Sequence, residues 1–355
     1  MKISRRKFFA GAGAAASGLA AASASKIAAQ TSSPMVERVG LPDVWGQDFL
    51  HQWTPPENVK RDLTPGPYTL RLSNSQDIQN KPGTDYAKVF QEMRDNGWTA
   101  CETPSPNWLS RKIPPDEIKE IKKQAKAHDV LFYGIHCAGN VIAPNGEGAL
   151  WQKHVIEAAH AAEEMDLEFI LTHAGSMYPQ RDTPHPLNWS KEAWQKSVKA
   201  LQNIIKATEG SKINIAIEPV NTESINSPWA FKRLKEDVGS ERLMCGLDIT
   251  NCVYAGVAFR MTELLNAAFE VLKGDIAYVH AKDFVWDGML PGLSWAIQGT
   301  GLMDYETFLV QLSRIENPKM YVEFLPTPED YQQAQRNIRS IAAKVGVKIM
   351  GEQKA

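Results

Sequence analysis

The sequence predicts a (β/α)8 barrel, the TIM-barrel class of α/β folds. Eight short apolar runs alternate with amphipathic segments over about 280 residues, which is typical of repeated strand–helix units. No glycine-rich dinucleotide turn follows the first apolar run, so a doubly wound open sheet is only the runner-up. The 355 residues, 43% hydrophobic and 23% charged, are ordinary for a globular enzyme with one large core.

The first 29 residues have the pattern of a twin-arginine export leader. Arg5 and Arg6 in SRRKFF precede the apolar run AGAGAAASGLAAASA, which ends at a small-residue cleavage site, Ala22-Ser23-Ala24. That run has about 15 residues, fewer than the roughly 20 of a membrane-spanning helix, so no stable membrane insertion is expected. An uncleaved anchor and a disordered basic terminus are the alternatives. We therefore expect a periplasmic or secreted protein, with the twin-arginine translocase as its partner during export.

The charge balance argues against nucleic-acid binding. The chain carries 39 basic and 41 acidic residues, and the leader contains basic residues but no acidic one. The mature chain is therefore mildly acidic, whereas nucleic-acid binders need basic surface to neutralise phosphates. The four cysteines show no metal-binding spacing, and a twin-arginine substrate folds in a reducing compartment. We expect buried thiols at these positions: Cys101, Cys137, Cys245 and Cys252.

The mature chain is expected to form one domain. Residues 30–66, with their five prolines, are predicted to be an irregular N-terminal extension, and residues 67–350 a single barrel domain. The predicted strands lie, in chain order, in YTLRLSN, TACETP, VLFYGIHCAG, EFILTHAG, INIAIEPVN, LMCGLDITN, IAYVHAKDF and MYVEFLP. Amphipathic helices are predicted between them, as in TDYAKVFQEMRDNG, PPDEIKEIKKQAKAH, ALWQKHVIEAAHAAEEM and SKEAWQKSVKALQNIIKAT.

Strand parity places polar side chains together at one end of the barrel. Side chains alternate between faces along a strand, so in INIAIE the isoleucines face the helices and Glu218 faces the barrel interior. The same rule turns Asp248, His280 and Glu323 inward at the carboxyl ends of the next three predicted strands. Catalytic residues of this fold lie at that end.

Three carboxylates and an imidazole crowded together indicate a bound cation. Without one, the carboxylates would repel each other and raise one another's pKa values. A set of one nitrogen and three oxygens suits Mn²⁺ first, with Mg²⁺, Co²⁺ or Zn²⁺ as alternatives. Any one of these residues alone could be a solvated polar group at a strand end. For all four on consecutive strands, we predict one divalent metal ion.

Five motifs carry a resemblance to a known family: IEPVN, GLDITN, VHAKD, QGTG before a helix, and YVEF. They resemble the sugar phosphate isomerase/epimerase superfamily, the xylose isomerase-like barrels that include ketose 3-epimerases, hydroxypyruvate isomerase and inosose dehydratase. The resemblance spans residues 67–345. It implies that the metal ligands are Glu218, Asp248, His280 and Glu323, and that Glu218 and Glu323 are the catalytic acid/base pair.

Two positions depart from the ketose epimerases of this superfamily. Those enzymes carry a His three residues after the strand-six Asp and an Arg shortly after the strand-seven His, where this chain has Asn251 and Lys282. Both are candidate substrate contacts, and the departures favour an unusual substrate such as a 3-keto-glycoside or keto-inositol. The segment DTPHPLNWSKEAW resembles the superfamily's loop into helix four. Its His185 is either a substrate contact or a helix-entry residue.

Other polar and aromatic residues fall near the predicted strand ends. Glu102, His136 and His173 are candidates for lining the substrate pocket, with satisfied core or rim groups as the alternative. Asp283 is expected to orient a neighbouring metal-bound imidazole. Two tryptophans in the long loop after strand seven are candidates for stacking on a sugar, although aromatics are more often core residues: Trp286 and Trp295.

These features predict a divalent-metal-dependent sugar isomerase or epimerase that abstracts a proton next to a carbonyl through a metal-stabilised enediolate. One alternative is a metal-dependent lyase or dehydratase acting on keto-sugars, and a second is a non-catalytic periplasmic carbohydrate-binding barrel. A DNA-repair nuclease of the same superfamily is disfavoured because the chain lacks a basic face. The expected partner is a small carbohydrate or keto-sugar. The sequence leaves open the particular sugar and the formation of a homo-oligomer.

Overall fold

The computed structural model describes residues 61–74, 83–102, 113–287 and 292–351. The leader and most of the extension lie outside these ranges, so their assignments stay predictions. Residues 61–66, the described end of the extension, have no regular secondary structure. No helix within the described ranges is both long enough and apolar enough to cross a membrane.

Nine strand segments and eight helices of the described chain build the barrel and its outer layer. The strands that enter the main sheet are β1 (Arg71–Asn74), β2 (Ala100–Cys101), β3 (Leu131–Phe132), β4 (Gly134–His136), β5 (Phe169–Thr172), β6 (Asn214–Ile217), β7 (Leu243–Leu247) and β8 (Ile276–Ala281), followed later in the chain by β11 (Lys319–Val322). Strands β3 and β4 together occupy one of the eight strand positions of the barrel. A separate hairpin consists of β9 (Asp283–Trp286) and β10 (Leu293–Ala296).

The helices follow the strands in alternation. They are α1 (Tyr86–Asp95), α2 (Pro115–Ala127), α3 (Glu147–Glu164), α4 (Lys191–Ala207), α5 (Pro228–Val238), α6 (Met261–Val271), α7 (Tyr305–Ser313) and α8 (Pro328–Val345). Capping explains several boundaries. Ser227 accepts the backbone N–H of Ala230 at 3.1 Å at the start of α5, and Gly239, with φ of 74°, ends that helix.

All neighbouring strands of the main sheet are parallel, in the order β3-β2-β1-β11-β8-β7-β6-β5-β4. The two ends of this order, β3 and β4, are separated in the chain by Tyr133 alone. The chain itself therefore joins the ends of the sheet into a barrel. This arrangement confirms the predicted TIM-barrel class.

The third predicted strand, VLFYGIHCAG, differs from expectation because it is split. Its first part, β3, pairs with β2, and its second part, β4, pairs with β5. Between them the carbonyl of Tyr133 accepts the backbone N–H groups of both Glu168 and Phe169. The long loop predicted after strand seven also differs, since it contains the antiparallel hairpin β9–β10.

Two packed layers follow from strand parity. A small buried cluster fills the barrel interior: Ala100, Tyr133, Phe169, Leu171, Ala216, Tyr278 and Tyr321. The large cluster between strands and helices contains the alternate residues, including Ile213, Ile215 and Ile217. Gly246 leaves room for the Tyr278 ring, because a Cβ there would lie 2.0 Å from the Tyr278 hydroxyl. The interior is thus filled with side chains below the mouth.

Candidate metal centre

Four polar side chains meet at the carboxyl ends of four adjacent strands. Glu218 directly follows β6, Asp248 directly follows β7, His280 is the penultimate residue of β8, and Glu323 directly follows β11. These strands are neighbours in the sheet, with Tyr321 of β11 in register with His280. Backbone pairing therefore holds the four side chains at one level of the barrel mouth.

The His280 ring lies at the centre of this group. Its Nδ1 atom is 3.1 Å from Glu323 Oε2, 3.4 Å from Glu218 Oε2 and 3.8 Å from Asp248 Oδ2. Glu218, Asp248 and His280 each offer one ligand atom, and these three atoms lie within 4.8 Å of one another. Glu323 reaches the same imidazole nitrogen from the β11 side.

Three of these buried atoms satisfy no hydrogen bond within the part of the chain that the structure covers: His280 Nδ1, Asp248 Oδ2 and Glu323 Oε2. Buried polar atoms are normally paired. Here the two oxygens have ionic contacts with the Lys282 ammonium, and the three atoms together leave room in their coordination for a further cation. Nitrogen and oxygen donors in this number suit a divalent cation. The residues present therefore fit a metal ion.

The remaining oxygen atoms of two of these carboxylates are held in place by hydrogen bonds. Asn251 Nδ2 donates to Glu218 Oε1, and the backbone N–H of Thr250 donates to Asp248 Oδ1 at 3.1 Å. These hydrogen bonds leave the second oxygen of each carboxylate turned towards His280. Asn251, predicted as a substrate contact, thus lies against a candidate ligand in this structure.

Glu102 lies behind the imidazole. Its Oε1 atom is 3.0 Å from His280 Nε2. Burial disfavours its charge, but the contact with His280 outweighs burial and lowers the pKa of Glu102. An ionised carboxylate only accepts hydrogen bonds, so Nε2 carries a proton and Nδ1 faces the candidate site. Glu102, predicted to line the substrate pocket, is placed where it orients the candidate ligand His280.

The two glutamates predicted as acid and base lie in different electrostatic environments, which shift their pKa values in opposite directions. Burial raises the pKa of Glu323, and the nearby His280 and Lys282 only partly oppose it. Burial also disfavours the charge of Glu218, but His280 and its other cationic neighbours prevail and lower its pKa below the ordinary range. For His280, burial is outweighed by the carboxylates around it, which raise its pKa well above the usual value. A divalent ion would replace that proton on Nδ1.

Lys282 brings a positive charge to the edge of the site. Its ammonium forms ion pairs with Asp248 and, at 3.1 Å, with Glu323 Oε2. Burial tends to lower the pKa of Lys282, but the carboxylates more than compensate and raise it. The side chain is thus a buried cation beside two candidate ligands, where the ketose epimerases were expected to carry an arginine.

Asp283 is placed differently from expectation. Its carboxylate accepts backbone N–H groups of Phe284, Gly299, Gly301 and Met303, at 2.8 to 3.0 Å. Within the described contacts it therefore organises the QGTG loop instead of an imidazole. Asp283 lies three residues after His280, beyond the end of β8, where it begins β9.

The two other imidazoles near strand ends lie at the ends of the neighbouring strands β4 and β5. His136 ends β4, and burial lowers its pKa to about 4. His173 directly follows β5, and its Nδ1 atom is 3.2 Å from Glu223 Oε1. Glu223 is fully buried, accepts the N–H of Gly175 at 3.0 Å and lies 3.5 Å from Arg181 Nε. Sequence reasoning missed Glu223, because it sits in a loop whose course no periodicity reveals.

His185 and Trp286 occupy places that favour their structural interpretations. His185 Nδ1 accepts the N–H of Leu187 at 3.3 Å at the start of a short 3₁₀ helix, Pro186–Trp189. Its ring stacks on Tyr178 with centroids 5.9 Å apart. Trp286 is half-buried in β9 and packs against the large core cluster. The roles of both residues in substrate binding stay predictions.

Comparisons with known proteins agree with this architecture. Among curated proteins, no sequence matches the chain. A solved xylose isomerase-like TIM barrel protein from Mycobacterium smegmatis in complex with magnesium is 11% identical, with a TM-score of 0.56, and the alignment covers 79% of this chain and 97% of that one. A 3-keto-D-glucoside 4-epimerase from E. coli is 14% identical, with a TM-score of 0.57 and coverage of 77% and 100%.

A probable 3-DHS dehydratase from Bacillus anthracis is 13% identical, with a TM-score of 0.57 and coverage of 77% and 99%. At these identities the solved structures establish the shared fold. The sequence profile of a family described as "Xylose isomerase-like TIM barrel" matches residues 83–341, well over half of the chain. The chain therefore belongs to the xylose isomerase-like TIM barrel family.

Proposed function

We propose that the protein is a divalent-metal-dependent sugar isomerase or epimerase that moves a proton next to a carbonyl. The observation that carries the proposal is the convergence of Glu218, Asp248, His280 and Glu323, with three buried donor atoms that satisfy no hydrogen bond within the described residues. Structures of the same fold whose names include an epimerase and a magnesium complex support it. Mn²⁺ is the preferred ion on donor chemistry.

A divalent ion bound by these residues would draw electrons from a substrate carbonyl and acidify the neighbouring C–H bond. The protein's own part is proton handling. Glu218 and Glu323 follow β6 and β11, with β7 and β8 between them, so their carboxylates approach the imidazole from different sides. One carboxylate can remove the proton and the other can return it on the opposite face, which inverts the carbon.

Elimination is the second candidate, and Lys282 is the observation that favours it. Its ammonium lies 3.1 Å from Glu323 Oε2, within reach of a group bound beside that carboxylate. After a glutamate takes the proton, the C–O bond at the β-carbon would break and the departing oxygen would take a proton from Lys282. The fold shared with a probable dehydratase is compatible with this outcome.

The test is to incubate Mn²⁺-loaded protein in D₂O with panels of ketoses, keto-inositols and 3-keto-glycosides and to follow products by NMR. Epimerisation predicts deuterium at one stereocentre without loss of mass, whereas elimination predicts release of water or aglycone. The Asp248→Ala variant is the control for contaminating activity. Binding of a sugar with neither exchange nor product would instead support the non-catalytic carbohydrate-binding barrel.

We also propose export through the twin-arginine route, on the strength of Arg5 and Arg6 and the apolar run behind them. Replacing both arginines with lysine should leave the protein in the cytoplasm. Cell fractionation measures this, and undiminished delivery of the double variant would contradict the proposal.

A further inference from the structure

Two exposed aromatic rings lie together beside the candidate metal centre. Phe324 directly follows Glu323 and is 52% exposed, and Trp295, on β10, is 43% exposed. Their ring centroids are 5.2 Å apart with an interplanar angle of 38°. We call this pair the aromatic shelf. Removing apolar surface from water is favourable, so two adjacent exposed rings offer a binding surface.

The backbone of Phe324 is strained to present its ring. Five non-glycine residues of the described chain have positive φ, and Phe324, at 61°, is one of them. The other four are residue types that tolerate this conformation: Asp129, Asn145, Asp166 and Asn317. For a bulky aromatic residue this backbone conformation is an outlier that the surrounding structure must hold in place. Strain of this kind next to a ligand residue indicates a functional use of the ring.

Lys282 links the aromatic shelf to the candidate metal centre. Its Nζ atom lies 4.2 Å from the centroid of the Phe324 ring and 5.5 Å from that of Trp295. The same atom is 3.1 Å from Glu323 Oε2. One ammonium group therefore separates the shelf from the ligand set. If the reacting carbons of a substrate lie at the candidate ligands, the neighbouring part of the substrate would contact the aromatic shelf.

Contacts with the ends of β8 and β11 hold the aromatic shelf in place. Strand β9 follows β8 after Lys282, and Trp295 pairs in register with Phe284 of β9. Gln298 donates from Nε2 to the carbonyls of Ala281, at 2.7 Å, and Glu323, at 2.9 Å. These contacts fix both rings relative to the ends of β8 and β11.

We propose that the aromatic shelf is a binding subsite for a second, uncharged sugar ring, so that the substrate is a keto-glycoside and not a free monosaccharide. The inference rests on the proposed function and names its substrate class. A pyranose ring has a face of C–H groups that packs on aromatic rings, and its hydroxyls stay hydrated at the rim. The charged group nearest the rings among the described residues, Lys282, is already neutralised by its ion pairs with Asp248 and Glu323, so this part of the shelf offers no free cation to an anionic group.

The test compares binding and turnover for one-ring and two-ring sugars. The Kd values of glucose, cellobiose and maltose are measured by titration calorimetry and saturation-transfer NMR on Mn²⁺-loaded protein. Turnover is measured with 3-keto-glucose and a 3-keto-disaccharide. In the wild type, one disaccharide should bind at least tenfold more tightly than glucose, with saturation transfer to its second ring.

Phe324→Ala and Trp295→Ala should each weaken disaccharide binding about tenfold and leave glucose binding within a factor of two. Phe259→Ala is the matched control, since Phe259 is an exposed aromatic, 71% accessible, in the segment before α6. Phe324→Gly removes the ring and relieves the positive φ, so it should fold at least as stably as Phe324→Ala and still lose disaccharide binding.

Equal affinity of the wild type for one-ring and two-ring sugars would overturn the subsite, as would equal losses for both sugars in the shelf variants. Tighter binding only of an aromatic glycoside would also overturn the assignment to a sugar ring. Deuterium exchange into a 3-keto-disaccharide that the shelf variants leave unchanged would overturn the subsite while the proposed function stands. Shelf-dependent disaccharide binding without any proton exchange would instead uphold the subsite and contradict the isomerase.

Discussion

The two halves of the barrel mouth organise their polar side chains differently. On the half formed by β6, β7, β8 and β11, the candidate carboxylate ligands turn towards one imidazole, and the pairing of neighbouring strands brings them together. On the other half, Glu102 reaches across to His280, and His173 turns to Glu223 in a loop. Position at a strand end therefore predicts where a side chain lies, but not which partner it takes.

The largest expected effect concerns metal binding on the half of the mouth that carries the candidate ligands. Asp248→Ala or His280→Ala should lower affinity for Mn²⁺ more than 100-fold, because each removes a ligand and leaves the other carboxylates repelling one another. Elemental analysis after dialysis measures the bound metal. His173→Ala, at the end of the neighbouring strand β5, removes no candidate ligand and is the control, which should keep about one ion per chain. Full occupancy in both ligand variants would rule out the proposed centre.

A second effect separates metal binding from proton transfer. Glu218→Gln and Glu323→Gln each keep the side-chain volume and one oxygen donor but lose the proton-accepting charge. Turnover should fall by about 10²-fold or more, whereas metal affinity should weaken modestly. Deuterium exchange into substrate distinguishes the two roles.

Exchange should vanish when the abstracting glutamate is changed and persist in part when only the returning one is changed. Near-normal turnover in both metal-loaded variants would show that neither glutamate carries the proton. Lys282, His136 and His173 would then become the candidate bases.

A smaller effect tests the contact between Glu102, on one half, and His280, on the other. Glu102→Gln keeps the shape of the side chain but removes the charge that holds the His280 Nε2 proton. Metal affinity should fall about 10–100-fold, as is usual for partners behind a metal-bound His. Competition with a metal-chelating dye gives the affinity. Unchanged affinity would mean that Glu102 contributes nothing through His280 and would return it to the pocket-lining candidates.

The smallest expected effect concerns His136, on the other half of the mouth, and the pH dependence of the free energy of unfolding. Burial lowers the pKa of His136 to about 4 from the model-compound value of 6.5, so the unfolded chain binds the proton more readily. His136 therefore makes the free energy of unfolding fall as the pH drops from about 6.5 towards 4. Between pH 7 and pH 5 the wild type should lose about 2 kcal/mol more than His136→Gln. Urea titrations of metal-free protein measure this, and parallel losses would show that His136 is not buried as a neutral ring.

Most of the fold and part of the site follow from the sequence. Strand parity predicted that Glu218, Asp248, His280 and Glu323 point to one interior face, because side chains alternate regularly along a strand. The regular alternation of strands and helices likewise predicted the barrel, which the parallel sheet order confirms. The split of the third strand was not predicted, since the double hydrogen bond at Tyr133 depends on the neighbouring strand.

The sequence by itself determined the periodic features of this protein: the barrel, the inward carboxylates and the chemistry of a mixed nitrogen and oxygen ligand set. Tertiary structure alone decided the partners: Glu102 behind His280, Glu223 beside His173, Asp283 on the QGTG loop, and Phe324 with Trp295 over Lys282. The physical reason is that local backbone geometry repeats every two residues in a strand and is visible in one segment. A contact between loops depends on the closure of the whole barrel, which joins residues far apart in the chain.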